Sequence, residues 1–303
     1  NKSPQRYHEK VDRLSLRNYQ IDFDLKKSSL FRSLAKDLLV HPWLLFQSAV
    51  KAWKTCHQLT RKYNVSRIST LLRVLRFRNT EGHFRNIDLI HSHSEILAYE
   101  FLFLSVMHNI PIIHTFHGLM PEGIPALAEN KRIMLYSKIS KVLANTRFAM
   151  RQVESVGCSA KKIAILPQGL PLEEFPFTPL PCPGSEDVLH LLSVGRFHRD
   201  KGYRYSLLAT ARLLKKGVRL HYNIVGVGPD KLRLQELIGR LGLSEHVTIH
   251  EGLEPEELHR IYKLSHLFIL ASIDNKCGEH VETQGVVLQE AQATGCIPIA
   301  TQV

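Results

Sequence analysis

Apolar and polar positions alternate in blocks over most of this chain. From about residue 86, short apolar runs such as "IDLIHSH" and "IPIIHTFHG" are separated by longer segments with apolar residues at helical spacing. Short strands that alternate with helices are typical of βαβ units around a parallel sheet. The pattern therefore predicts an α/β protein.

A proline-rich segment, "PLEEFPFTPLPCPGSED", interrupts the alternation near residue 175, and a second series begins with "VLHLLSVGR". Prolines at this density are typical of a linker. We therefore expect two domains, residues 1–174 and 175–303, with Rossmann-like doubly wound parallel sheets that face each other across a cleft. Ligands of such sheets bind beyond the carboxyl ends of the strands.

The first 85 residues have a different character. They contain 18 Lys and Arg against 6 Asp and Glu, whereas the remainder contains 22 of each, so they carry the whole net charge of +12. The segment "QIDFDL" is a candidate strand, and Trp43 and Trp53, both tryptophans of the chain, lie in a helical pattern with basic residues. Such a helix suits an anionic membrane surface. A helix that faces the core and leaves its charges solvated is the alternative.

The lengths of the apolar runs and the spacing of the cysteines exclude several classes of protein. No apolar run reaches 18 residues, and the five cysteines lack the spacing of metal ligands, so we expect reduced thiols in a cytosolic protein without a metal site. No motif indicates nucleic-acid binding. The chain begins at Asn1 and stops after an apparent strand. We therefore expect a longer protein, with the first strand of the N-terminal domain missing and the C-terminal domain truncated.

Two basic residues follow the first strand of the second series, in the segment "SVGRFHRDKG". Arg196 and Lys201 would lie at the carboxyl end of this strand, and its glycines permit a tight turn. The order of a Walker loop is absent, but the segment suits a diphosphate. A solvated basic turn is the alternative. Gly226 in "VGVGPD" belongs to a lone GxG, whose glycines can equally serve the close passage of two backbones.

Two carboxylates, Glu282 and Glu290, lie eight positions apart in "ETQGVVLQEAQATG". A helix from about Gly285 would begin just after Glu282, and a helix N-terminus attracts anions. Glu282 can therefore cap its own helix or bind a ligand. Glu290 lies further inside, where apolar neighbours indicate a packed helix, and it would accept hydrogen bonds from a polyol.

In this order, these motifs resemble the nucleotide-binding domain of retaining family 4 glycosyltransferases of the group 1 type, which have the GT-B fold and act in exopolysaccharide, capsule and lipopolysaccharide synthesis. The resemblance covers residues 86–303 and is strongest over 190–301. It implies transfer of a sugar from a nucleotide-sugar donor, such as a UDP- or GDP-sugar, to a glycan or lipid-linked acceptor. It also implies retention of configuration. Because Arg196, Lys201 and the helix N-terminus can stabilise the leaving diphosphate, we expect no metal requirement. The reduced thiols and the basic first 85 residues predict a protein that is cytoplasmic or peripheral on the inner face of the membrane.

The resemblance also implies roles for single residues. Arg196 and Lys201 would bind the donor diphosphate, and His117 of "HTFHG" would lie near the reacting centre. Glu282 would hold hydroxyls of the transferred sugar and Glu290 those of the ribose. The remaining donor-site residues would be Gly226, Thr283, Gln284, Gly285, Val286 and Val287. Thr283 stands where the family usually has glycine, so its side chain either narrows the sugar pocket or points away.

Two other functions are compatible with this resemblance. A nucleotide-sugar 2-epimerase of related fold would act on a donor without an acceptor. A non-catalytic partner of a polysaccharide complex would keep the fold and bind nothing, but the intact set of Arg196, Lys201, Glu282 and Glu290 argues against it. The glycine-rich loop that closes over the donor phosphates in the family is not visible in this sequence.

Overall fold

The computed structural model describes residues 39, 42–63, 66–76, 87–119, 127–273 and 282–302. The candidate strand "QIDFDL" lies outside this part of the chain. The described helices are α1 (Pro42–Tyr63), α2 (Arg67–Arg76), α3 (Glu95–His108), α4 (Glu129–Lys138), α5 (Arg147–Ser155), α6 (Tyr203–Lys215), α7 (Lys231–Arg240), α8 (Pro255–Lys263) and α9 (Val286–Thr294). The described strands are β1 (Ile90–Ser92), β2 (Ile112–Phe116), β3 (Lys141–Ala144), β4 (Ile163–Ile165), β5 (Leu189–Val194), β6 (Leu220–Val225), β7 (Val247–His250), β8 (Leu267–Leu270) and β9 (Ile297–Ala300).

The chain divides into two compact units. One comprises residues 1–88 and 103–110, and the other comprises 89–102 and 111–303, so the second unit contains every described strand. In the first unit α1 and α2 pack together, and the Cys56 thiol donates a hydrogen bond to the Arg67 carbonyl at 3.3 Å. The predicted domain boundary at residue 175 falls between β4 and β5 and stays a prediction.

The first sheet contains four parallel strands in the order β1-β2-β3-β4. Strand β2 is almost wholly buried, as expected for a strand with elements on both faces. After β3, the chain enters α5 through Thr146, whose hydroxyl accepts a hydrogen bond from the Ala149 amide at 3.1 Å. This side-chain cap satisfies an amide that has no intrahelical partner.

The second sheet is parallel and doubly wound, with the strand order β7-β6-β5-β8-β9. Successive residues of β5 point to opposite faces, so Leu191 packs with Leu207 and Tyr222 in one buried cluster, and Leu192 packs with Phe268 in another. Each such side chain stabilises the fold by about 1.5–3 kcal/mol when fully buried. The predicted α/β class with parallel sheets is confirmed.

Two further predictions concern the thiols and the membrane. Within the described residues, Cys56, Cys158, Cys182 and Cys296 are free thiols. Burial raises the pKa of Cys158 to about 11 and that of Cys296 to about 12, so both stay protonated at neutral pH. None of the helices that the structure describes combines the length and the apolar character needed to span a bilayer.

Candidate functional site

The candidate site lies where the strand order of the second sheet reverses, between β5 and β8. The turn after β5 and the segment after β8 approach closely, because Gly202 lies against Ala271. Gly202 has φ +64°, and a Cβ atom there would lie 1.7 Å from the Ala271 carbonyl oxygen. Only glycine fits this approach, and the crevice at such a reversal is the usual ligand site of an open α/β sheet.

A cavity of about 450 Å³ opens at this point. It brings together most of the predicted site residues, and its lining comes from five separate segments of the chain. Its lining consists of His117, Asn145, Gln168, Val194, Gly195, Arg196, Lys201 and residues 282–287.

Two predicted residues, Gly226 and Glu290, do not line the cavity. Gly226 backs the turn instead, since a Cβ atom there would lie 1.9 Å from the Gly195 carbonyl oxygen. Glu290, on α9, accepts a hydrogen bond from the Tyr262 hydroxyl at 2.8 Å. The assignment of Glu290 to ribose hydroxyls stays a prediction.

The two cations of the turn are each held by a carboxylate. Arg196 donates from Nη2 to Asp200 Oδ2 at 3.0 Å, with 42% of the arginine side chain but only 7% of the aspartate side chain exposed. Lys201 forms an ion pair with Glu282, whose Oε2 also accepts a hydrogen bond from the Ser272 hydroxyl at 3.3 Å. Lys201 and Glu282 were predicted to contact different parts of a ligand, and here they bind each other.

Glu282 does not cap the helix that follows it. The N-cap of α9 is Gly285, with φ 62°, and no side chain caps the helix. The capping interpretation of Glu282 is therefore wrong, because its carboxylate is directed to Lys201. The first amides of α9 have no intrahelical partner, and residues 284–287 line the cavity beside Arg196 and Lys201. The cavity therefore combines two cations with the positive end of a helix.

Thr283 points across the cavity toward the first sheet. Its hydroxyl donates to the His117 carbonyl at 3.1 Å and accepts from Asn145 Nδ2 at 3.1 Å. A Cβ atom at Gly118 would lie 2.8 Å from Thr283 Cγ2. The sequence left open whether the Thr283 side chain narrows the pocket or points away from it. The second alternative is wrong, since Thr283 occupies space in the cavity.

Gln284 makes a reciprocal pair of hydrogen bonds with the backbone after β4. Its Oε1 accepts from the Gln168 amide at 2.9 Å, and its Nε2 donates to the Gln168 carbonyl at 2.9 Å. Gln284 Nε2 also donates to Gln289 Oε1 at 3.1 Å, which orients the amide. Together with the contacts of Thr283, these bonds join the segment before α9 to the ends of β2, β3 and β4.

Two histidines, His93 and His117, lie side by side, and His117 lines the cavity. His117 Nε2 lies 3.1 Å from His93 Nδ1, and His117 Nδ1 lies 3.3 Å from the Gln168 side-chain nitrogen. An amide NH2 group can only donate, so Nδ1 of His117 accepts and its proton lies on Nε2. Burial, followed by the neighbouring His93 and His91, lowers the pKa of His117. His117 is therefore neutral at pH 7.

A buried ion pair supports the loop that carries His93. The carboxylate of Glu95, the first residue of α3, accepts a bifurcated hydrogen bond from Arg132 Nε and a second hydrogen bond, at 2.9 Å, from Arg132 Nη2. It also accepts one from the Tyr136 hydroxyl at 2.5 Å. Since Glu95 is only two residues from His93, this cluster positions the end of β1 relative to α4.

Sequence reasoning missed His93, Asn145 and Gln168 as parts of the site. His93 and Asn145 directly follow the last residues of β1 and β3, and Gln168 lies three residues after β4. A polar residue at the carboxyl end of a predicted parallel strand is a signal that could have found all three.

Comparison with known proteins matches both halves of the chain to family models. Residues 40–174 match the model described as Glycosyltransferase Family 4. Residues 184–303 match the model described as Glycosyl transferases group 1. The gap between the two matches coincides with the proline-rich segment.

Similar proteins extend over much of this chain. It is 29% identical over 259 residues to D-inositol 3-phosphate glycosyltransferase of Arthrobacter sp. (strain FB24), with 78% of this chain and 59% of that protein covered. It is 26% identical over 288 residues to the amylovoran biosynthesis glycosyltransferase AmsK of Erwinia amylovora, with 92% of this chain and 66% of that protein covered. The chain thus spans less than two thirds of the length of these relatives.

The architecture also matches solved structures. The crystal structure of Anabaena HepE in complex with UDP and glucose superposes with a TM-score of 0.61 at 16% identity, over 74% of this chain and 62% of that one. This likeness confirms the predicted GT-B fold.

Proposed function

Because the chain belongs to the group 1 glycosyltransferases, we propose that it transfers a sugar from a nucleotide-sugar donor to a glycan or lipid-linked acceptor. We assign this transfer to the synthesis of a surface polysaccharide, with retention of configuration at the anomeric carbon. The relative named for amylovoran biosynthesis supports the polysaccharide class. The UDP and glucose in the HepE complex support a nucleotide-sugar donor.

One observation carries this proposal. Arg196, Lys201 and the N-terminus of α9 face the same cavity at the reversal of the strand order. A diphosphate bears several charged oxygens close together, and it is the ligand group that best matches two cations beside unpaired amides. Arg196 can bind such a group through two parallel N–H donors, whereas Lys201 acts as a point charge.

The same groups serve the chemical step. As the bond between the anomeric carbon and the β-phosphate oxygen breaks, an acceptor oxygen bonds to that carbon and its hydroxyl proton is released. Negative charge develops on the β-phosphate, and Arg196, Lys201 and the helix N-terminus stabilise it. Since these groups can take the part of a metal ion, we expect transfer to proceed without bound metal.

Binding of the donor diphosphate must break or weaken the ion pair between Lys201 and Glu282. A diphosphate at Lys201 would compete with Glu282 for the ammonium group. Glu282 would then be available to accept hydrogen bonds from hydroxyls of the transferred sugar. A carboxylate held in this way is better suited to bind hydroxyls than to act as a covalent nucleophile. Neutral His117, with its proton on Nε2, would orient the sugar or the acceptor.

A lipid-linked acceptor requires the enzyme to reach a membrane surface. The same proposal therefore includes a cytoplasmic protein that attaches peripherally to the inner face of the membrane. Residues 1–85, which carry the net charge of +12 of the chain, are the candidates for this attachment.

The proposal is tested by incubating the protein with UDP-sugars and GDP-sugars, with and without glycan and lipid-linked acceptors, and by identifying the products by mass spectrometry. We expect transfer only in the presence of an acceptor, unchanged by a chelator. The anomeric configuration of the product can then be read by NMR. A donor altered without any acceptor would instead identify an epimerase. If no nucleotide binds in calorimetry, the protein is a non-catalytic partner.

A further inference from the structure

Helix α1 and Leu39, three residues before its first residue, expose apolar side chains that we call the aromatic stripe. Leu39 is 85% exposed, Trp43 66%, Phe46 58%, Val50 39% and Trp53 60%. Trp43, Phe46, Val50 and Trp53 follow one another at intervals of three, four and three positions, which places them on one side of α1, and Leu39 lies four positions before Trp43. The rings of Trp43 and Phe46 stack with their centroids 5.7 Å apart.

The aromatic stripe is not the packing face of α1. The side that packs against the rest of its unit contains Ala52, Cys56 and Leu59, each at most 3% exposed. The core contacts of the helix are thus provided by other residues. The alternative in which the tryptophans face the core is wrong, and the aromatic stripe needs a different explanation.

Charge narrows the choice of partner. Residues 1–85 contain 18 Lys and Arg against 6 Asp and Glu, and the exposed Lys54 directly follows Trp53. Two copies of this chain joined along the stripe would bring their Lys54 side chains into the same interface. An anionic surface is complementary, and tryptophan favours the boundary between lipid headgroups and acyl chains.

We propose that the aromatic stripe docks on an anionic lipid membrane. Helix α1 lies parallel to the surface, its aromatic rings enter the headgroup region, and the exposed Lys54 meets the lipid phosphates. This docking rests on the peripheral attachment proposed above and assigns it to a surface, and binding to vesicles tests it separately from sugar transfer.

The chain provides its own reporter for this docking. It has only two tryptophans, Trp43 and Trp53, and both belong to the stripe. We expect their fluorescence to shift to the blue with phosphatidylglycerol vesicles, and brominated lipid to quench it. Phosphatidylcholine vesicles should cause neither effect. Salt should weaken the binding, since the attraction between the charges is screened.

A matched pair of variants separates the stripe from general charge effects. Phe46→Asp keeps both tryptophans and should weaken partitioning to phosphatidylglycerol vesicles by roughly tenfold or more, because burial of the phenylalanine is lost. Leu232→Asp makes the same charge change at a leucine of α7 that is 71% exposed, and it should bind like the wild type.

Three results would overturn the proposal. One is an unchanged tryptophan spectrum with both lipids, and another is equal partitioning of Phe46→Asp and the wild type. The third is a dimer in analytical ultracentrifugation that Phe46→Asp dissociates while vesicles bind neither protein. That result would identify the stripe as a contact between copies.

Discussion

The hydroxyl of Thr283 donates a hydrogen bond to the carbonyl oxygen of His117 at 3.1 Å. A residue just before α9 is thereby joined to the residue that follows β2. Asn145 strengthens this link by donating to the same hydroxyl. Because Thr283 directly follows Glu282, the position of the carboxylate depends on a contact with the first sheet.

Removing this hydroxyl should destabilise the protein. Thr283→Val keeps the shape of the side chain but loses both hydrogen bonds and leaves Asn145, which is 3% exposed, without this acceptor. We expect the free energy of unfolding to fall by about 1–3 kcal/mol in urea titrations. Thr283→Ser, which retains the hydroxyl, is the control. Equal stability of the two variants would mean that the hydrogen bonds contribute nothing measurable.

Loss of either cation should weaken the binding of a nucleoside diphosphate. We expect Arg196→Ala and Lys201→Ala each to lose roughly 1.5–3 kcal/mol of binding free energy in calorimetry, since each removes a charged donor. Lys215→Ala, at the opposite end of α6 from the turn, removes the same charge and should bind normally. Unchanged affinity in both test variants would refute the diphosphate site.

The two glutamates should separate binding from transfer. Glu282→Gln removes the carboxylate that competes with a diphosphate for Lys201, so nucleotide affinity should be at least retained while sugar transfer falls. Glu290→Gln still offers an oxygen to the Tyr262 hydroxyl but removes the charge predicted to bind ribose, so nucleotide affinity should fall. Calorimetry and transfer rates on the same preparations distinguish the two. A comparable loss of affinity in both variants would contradict the separate roles.

Protonation of His114 should destabilise the fold at acid pH. Burial lowers the pKa of His114 from 6.5 to about 4, against the opposing effect of Glu95, and His114 Nδ1 donates to the Ser92 carbonyl. The unfolded chain therefore binds the proton first as the pH falls below 6.5. The stability is fully present above pH 6.5 and is lost down to about pH 4, by roughly 3 kcal/mol.

Urea unfolding at several pH values measures this loss. His93 and His117 lie near His114 and also affect its pKa, so the comparison must be with a variant at position 114 alone. His114→Asn can keep a donor for the Ser92 carbonyl without the titrating ring. Its stability should fall less than that of the wild type between pH 6.5 and 4. Parallel pH curves would assign the effect to other histidines.

Periodicity was sufficient to predict the elements that present the site. The run "VLHLLSVGR" predicted β5, and the apolar spacing from Gly285 predicted a helix that the structure shows as Val286–Thr294. Because parallel strands present their carboxyl ends at one edge, the approach of Arg196 and Lys201 to the segment 282–287 followed from these elements.

The pairing of side chains within the site could not be predicted in the same way. Lys201 and Glu282 are 81 positions apart, and Asn145 and Thr283 are 138 apart. Local spacing carries no information about such partners, because they meet only through the packing of separate strands. The exposure of Trp43 and Trp53 could not be predicted from the sequence either. An apolar stripe has the same sequence pattern whether it is buried in a core or exposed on the surface.

The strand order of the second sheet has a consequence for folding during synthesis on the ribosome. Strand β5 lies between β6, which follows it directly, and β8, which leaves the ribosome only after β7 and α8. We expect the half containing β5, β6 and β7 to pair first during synthesis, with one edge of β5 open until β8 arrives. Nascent chains of increasing length should therefore resist protease over residues 189–250 before they bind nucleotide. The ligand site would be among the last parts of the nascent chain to mature.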